Sequence, residues 1–115
     1  MATTYKVLGQ AVSIASTGNV LLYAAPTATA AIGSTLTVCN QGTATATYSI
    51  SVKVNGSTTT LTAPVAKEYL VYQASIPAGT TTSYTLGITL DPFDHVVVSA
   101  STTTVSFNLF GTEIS

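Results

Sequence analysis

The sequence contains no arginine and no tryptophan, a single cysteine, a single histidine, and only seven charged side chains in 115 residues. Each shortage excludes something. Recognition of phosphate takes clustered cations and fork-shaped arginine contacts, and Lys6, Lys53 and Lys67 stand far apart in the sequence, so nucleic acid is not an expected partner. A membrane span needs about 18 consecutive apolar residues, and runs such as Val96-Val97-Val98 are far shorter, so no membrane partner is expected either. The opening Met1-Ala2-Thr3-Thr4-Tyr5-Lys6 lacks a basic stretch followed by an apolar core. No secretory leader is therefore predicted, and synthesis in cytoplasm is. Cys39 has no second cysteine to pair with, so the fold must hold without a disulfide.

A soluble domain of this length ordinarily carries about 29 charged residues. Here Lys6, Lys53, Lys67, Glu68, Asp91, Asp94 and Glu113 are all there are, and 23 threonines and 12 serines take up much of the surface instead. A monomer of 11.7 kDa should expose roughly 5,900 Å², or about one charge per 800 Å², which is one partner's share of a standard protein interface. A patch of that size can leave water almost anywhere while desolvating about one ion, avoiding several kcal/mol of unpaired burial. The net charge of −1 also lies below the magnitude of about 2 that keeps small domains apart. The surface is permissive for association.

Residues 1–115 fit a single domain, and alternating apolar and hydroxylated residues recur along all of it. In Tyr48–Val54, Tyr48, Ile50, Val52 and Val54 share one face and Ser49, Ser51 and Lys53 the other. In Tyr84–Leu90, Tyr84, Leu86, Ile88 and Leu90 alternate with Thr85, Gly87 and Thr89. Val105, Phe107 and Leu109 alternate with Ser106, Asn108 and Phe110, of which Phe110 is an apolar exception suited to contact. Further strands are predicted at Tyr5–Gln10, Val20–Ala24, Ser34–Asn40, Tyr69–Ile76 and Val96–Ala100. Turns are predicted at Asn40-Gln41-Gly42, Asn55-Gly56, Pro77-Ala78-Gly79 and Asp91-Pro92-Phe93-Asp94. No segment shows helical spacing. The pattern predicts an all-β, antiparallel sandwich of about eight strands with essentially no helix, its connections immunoglobulin-like or jelly-roll.

Chemistry finds little to work with. Asp91, Asp94 and His95 form the one cluster of ionisable groups, but Asx residues flanking a proline turn cap their own backbone more often than they bind metal. Cys39, opposite in parity to Leu36 and Val38, lacks a neighbouring base and reads as a small packed or strand-face thiol. No Gly-x-Ser-x-Gly elbow occurs, and Asn55-Gly56-Ser57 reads as a turn rather than a glycosylation site. Lys67-Glu68 reads as an exposed pair before a strand. Tyr48, Tyr72 and Tyr84 sit on the apolar parity of their strands and are predicted in the core. No catalytic, cofactor-binding or metal-binding residue is assigned, and no enzymatic activity is expected.

Two stretches carry resemblances. Leu36–Tyr48, with Ile76–Thr82, is similar to the strand–turn–strand pattern of bacterial immunoglobulin-like sandwiches. Thr3–Gln10, Leu86–Leu90 and Val105–Ile114 together resemble small virion structural proteins of tailed bacteriophages, particularly those of cyanobacteria and marine bacteria, whereas Val54–Lys67 does not. The second resemblance implies a virion location and a capsid decoration or cement protein, with the major capsid protein or other virion subunits as partners. It also implies a homo-oligomer, with a trimer favoured. A tail- or neck-associated component and a carbohydrate-binding or adhesion module using exposed tyrosines are the alternatives.

Overall fold

The computed structural model describes residues 2–14, 18–54 and 64–115. The Asn55-Gly56 turn and the Asn55-Gly56-Ser57 tripeptide lie outside the described residues. Eight strands form: β1 (Thr3–Val12), β2 (Val20–Ala24), β3 (Ala30–Asn40), β4 (Ala46–Lys53), β5 (Tyr69–Ile76), β6 (Thr81–Leu90), β7 (His95–Ala100) and β8 (Val105–Ile114). The one helical element among the described residues is a 3-10 turn, Ala66–Glu68. All eight predicted strands are present. β2 and β5 have the predicted bounds, whereas β1, β3, β6 and β8 run a few residues longer than the alternation suggested.

The strands make two four-stranded sheets, ordered β1-β8-β3-β6 (sheet I) and β2-β7-β4-β5 (sheet II). β1 pairs with β8, β2 with β7, β3 with β6 and β4 with β5, each antiparallel. This is one long hairpin rolled over on itself, with β3–β8 and β4–β7 closing the roll. The connectivity is that of a jelly roll. An immunoglobulin sandwich groups its strands differently, so the likeness of Leu36–Tyr48 to that class reflects local turn chemistry alone.

Leu36, Val38, Ile50, Val96, Val98, Val105, Phe107 and Leu109 are essentially sealed between the sheets. Burying each large apolar side chain contributes about 1.5–3 kcal/mol. At Gly9 a Cβ would sit 2.0 Å from the Leu22 carbonyl oxygen, so β1 and β2 meet backbone to backbone where sheet I folds onto sheet II. The total exposed area, 5862 Å², matches the value that mass alone predicts.

Buried polar groups are tied down by loops. Asn40, fully buried, donates from Nδ2 to the carbonyls of Ala44 (2.8 Å) and Ile76 (3.1 Å). Its Oδ1 accepts from the Gly42 N–H (2.9 Å) and Thr104 Oγ1 (3.1 Å), so one side chain fastens three loops at one end of the roll. The sequence suggested only a bend there. At the other end the Asp91–Asp94 turn forms as an Asx-type loop, in which Asp94 Oδ2 accepts from the Asp91 N–H at 2.9 Å.

Candidate functional surfaces

The outer side of sheet I is built from outward residues of four strands that align in rows across register shifts at Val7/Gly9 and Gly33/Thr35. Tyr5, Thr112, Ile32 and Thr89 make one row, and Val7, Phe110, Thr35 and Thr85 the next. Gln10, Asn108, Thr37 and Ser83 follow, then Val12, Ser106, Cys39 and Thr81. None of these sixteen side chains is charged. Tyr5 is 82% exposed, and Val7, Val12, Ile32 and Phe110 are also open to solvent. Strand spacing and rise make this face about 19 Å by 25 Å, the greater part of the roughly 800 Å² that one partner contributes to a standard interface. Phe110 and Cys39 lie where strand parity placed them, on this face.

The charges are gathered elsewhere. Lys6 Nζ bridges Glu113 Oε1 at 3.1 Å, and Tyr23 donates its hydroxyl to Glu113 Oε2 at 2.6 Å, tying β1, β8 and β2 together. The Tyr23 bond, then Lys6, hold the Glu113 carboxyl below its usual range, while burial and the same carboxylate push the Tyr23 phenol up. On the far side Lys53 Nζ bridges Glu68 Oε1 at 3.0 Å. Glu68 also accepts from the Val65 N–H at 2.8 Å, and that backbone bond, followed by Lys53, lowers its carboxyl. Lys67 and Glu68 are thus not a simple exposed pair: Glu68 turns back to Lys53, because the 3-10 turn brings its side chain over the end of β4.

His95 does not converge with Asp91 and Asp94 on a common point. It lies on β7 beside Lys53 and Ala24, 2% exposed, and its Nε2 has no hydrogen-bond partner among the described residues. Burial pushes its imidazole down, with Lys53 adding to the effect and Asp94 opposing it. Among the described residues no three His, Cys, Asp or Glu side chains gather as metal ligands.

Sheet II departs from alternation. Between Tyr48↔Ala74 and Ile50↔Val71, and again between Ile50↔Val71 and Ser51↔Tyr69, the register of β4 and β5 shifts. Each shift inserts an extra residue in β5, and Gln73 takes a left-handed backbone, φ 50°. The bulge reverses parity, so Tyr72, expected in the core, stands 64% exposed. Tyr48 is buried, its hydroxyl bonded to that of Tyr84, and Tyr84 packs against the core, both as parity predicts. Tyr69 meets Tyr72 edge to face, with ring centroids 4.9 Å apart. Beside them opens a cleft of about 160 Å³, with Ser49, Ser99, Ser101, Asn19 and Gln73 among its lining. Sequence reading missed this cleft, because glutamine carries no signal for a left-handed bulge.

No protein-family model matches the chain, and no curated protein does. Among solved structures it is similar to a chain in the structure of infectious bursal disease virus, Gx strain, with a TM-score of 0.55 and 13% identity over 97% of this chain. A chain of the Gt strain of the same virus aligns with a TM-score of 0.49 and 10% identity, also over 97% of this chain. The protein spans about a third, 32%, of the length of either viral chain. What the Gx comparison shares with this molecule is its fold, a β-sandwich occurring within a longer chain.

Proposed function

We propose that this protein is a virion structural protein, a decoration or cement subunit on the capsid of a tailed bacteriophage, seated through the outer face of sheet I. The observation that carries the reading is the sixteen-residue face without a charge. Docking it desolvates no ion, so the several kcal/mol that an unpaired buried charge costs never arises, while Tyr5, Val7, Ile32 and Phe110 supply apolar area in two adjoining rows. Two further facts support it. The sandwich is similar to one within a chain of the infectious bursal disease virus structure. The end segments that resemble phage virion proteins are β1 and β8, which lie side by side and form half of this face.

In this role each copy spans a joint between coat subunits and adds contact area that must be broken before they separate. Its partners are the major capsid protein or other virion subunits, copies associate as a small ring with a trimer favoured, and no catalysis is involved. Heat or osmotic rupture of particles with and without the protein tests the proposal. Particles lacking it should rupture at lower temperature and recover when it is added back. Equal rupture, with the protein found at the tail or neck, would overturn the cement role.

A further inference from the structure

We infer that the cleft on the outer side of sheet II binds a neutral saccharide, stacked on Tyr72. This site is separate from the docking face and stands or falls independently of it.

The geometry of β5 singles out the place. Tyr72 projects from an edge strand with most of its ring in solvent, and Tyr69 braces it edge-on at an interplanar angle of 76°. An aromatic ring this exposed, held by one edge-on neighbour, suits stacking against the C–H surface of a sugar ring. The backbone that aims it is strained: Gln73 holds a left-handed φ of 50°, rarely adopted outside glycine, asparagine and aspartate, and is kept there by its N–H donating to Ser49 Oγ at 2.9 Å. Strain of this kind collects where a side chain must be presented.

The chemistry of the lining selects the ligand. Ser49 and Ser99 pair across β4 and β7, and both line the cleft together with the amide-bearing Asn19 and Gln73. These groups donate and accept in equal measure, as hydroxyls require. The lining holds no carboxylate and no cation, so it offers nothing to a phosphate or an acidic sugar. The volume of about 160 Å³ is below the roughly 300 Å³ at which drug-sized pockets begin, and fits one sugar ring. A peptide adding itself as a strand is disfavoured, since the two bulges of β5 spoil the regular ladder that such addition needs.

Amide chemical-shift titration of the full chain with glucose, galactose and N-acetylglucosamine, and with glucuronic acid as the charged counterpart, tests the site. At least one neutral sugar should shift Tyr72, Gln73 and Ser99, with half-saturation around 1 mM, the weak end of specific affinity. Tyr72→Ala should weaken it about tenfold or more with an unchanged circular dichroism spectrum, since this side chain lies outside the core. Gln73→Ala should weaken it less. No shift with any neutral sugar, binding of glucuronic acid as tight as the neutral sugars, or full affinity in Tyr72→Ala would each overturn the inference.

Discussion

The two outer faces of the sandwich come from one alternating pattern and reach opposite surfaces. On sheet I the register shifts at Val7/Gly9 and Gly33/Thr35 fall on either side of the row of Val7, Phe110, Thr35 and Thr85, and the outward hydroxylated and apolar side chains still line up in rows across four strands. On sheet II two bulges in β5 break the period, turn Tyr72 outward and open a cleft. The sheet II face is also partly closed: Ser51, Val97 and His95 are buried on it, and Ser51 Oγ donates to the Val97 carbonyl at 3.1 Å. Where the shifts keep the outward side chains in rows, the sheet offers breadth to another protein surface, and where they turn Tyr72 outward beside Gln73 they give a concavity for a small molecule. The sheet I field and the sheet II cleft are both without charged side chains, so geometry decides which ligand each can take.

A charge placed on either face separates the two roles. Phe110→Asp puts a carboxylate in the middle of the sheet I field and should abolish association with particles, since burying one unpaired ion costs about 3–5 kcal/mol, or at least about a hundredfold in affinity. Thr85→Asp, in the same row on the exposed edge strand, should act similarly without touching an aromatic. Ser75→Asp, exposed on sheet II, should leave association intact. Co-sedimentation with particles lacking the protein reads all three, and equal loss in the three variants would erase the distinction between the faces.

Acid should sharpen the comparison more gently, because the buried imidazole lies on the sheet II side. His95 titrates near about 6.5 when unfolded and lower when folded. The unfolded chain therefore binds the extra proton first, and stability present above that pH is lost as pH falls below it. Glu68 and Glu113, both held low in the fold, lose their contribution as pH falls further, through and below their unfolded values of about 4.3. Thermal melts should show a midpoint that declines below about pH 6.5, and His95→Asn should flatten the first part of the decline. Above the unfolding transition, association through sheet I should stay constant, since none of its sixteen residues titrates as a carboxylate or imidazole.

Alternation made the eight strands and the core legible in the sequence, because side chains such as Ile50, Val98 and Phe107 have no other apolar surface to reach. It also set Phe110 and Cys39 on the parity opposite the core, and the structure puts that parity on the outside of sheet I. The rolled connectivity was not legible, since nothing in a strand's own residues says that β1 must pair with β8 rather than β2. The cleft was hidden for a related reason: the bulge at Gln73 is imposed by β4, through Ser49, and not by a glycine or asparagine in β5 itself. Asn40 read as a turn residue because, of its four hydrogen bonds, those to Gly42 and Ala44 are local while those to Ile76 and Thr104 join loops distant in sequence.

The lone thiol supplies the most direct test. Cys39 lies on the sheet I field between Thr81 and Ser106, partly exposed and free of disulfide. Its alkylation by N-ethylmaleimide, followed by mass spectrometry, can be compared for the isolated protein and for intact particles. The account predicts a thiol that reacts in isolation and is shielded on the particle. Equal reaction rates in the two states would show that this face remains in water after assembly, and would contradict it.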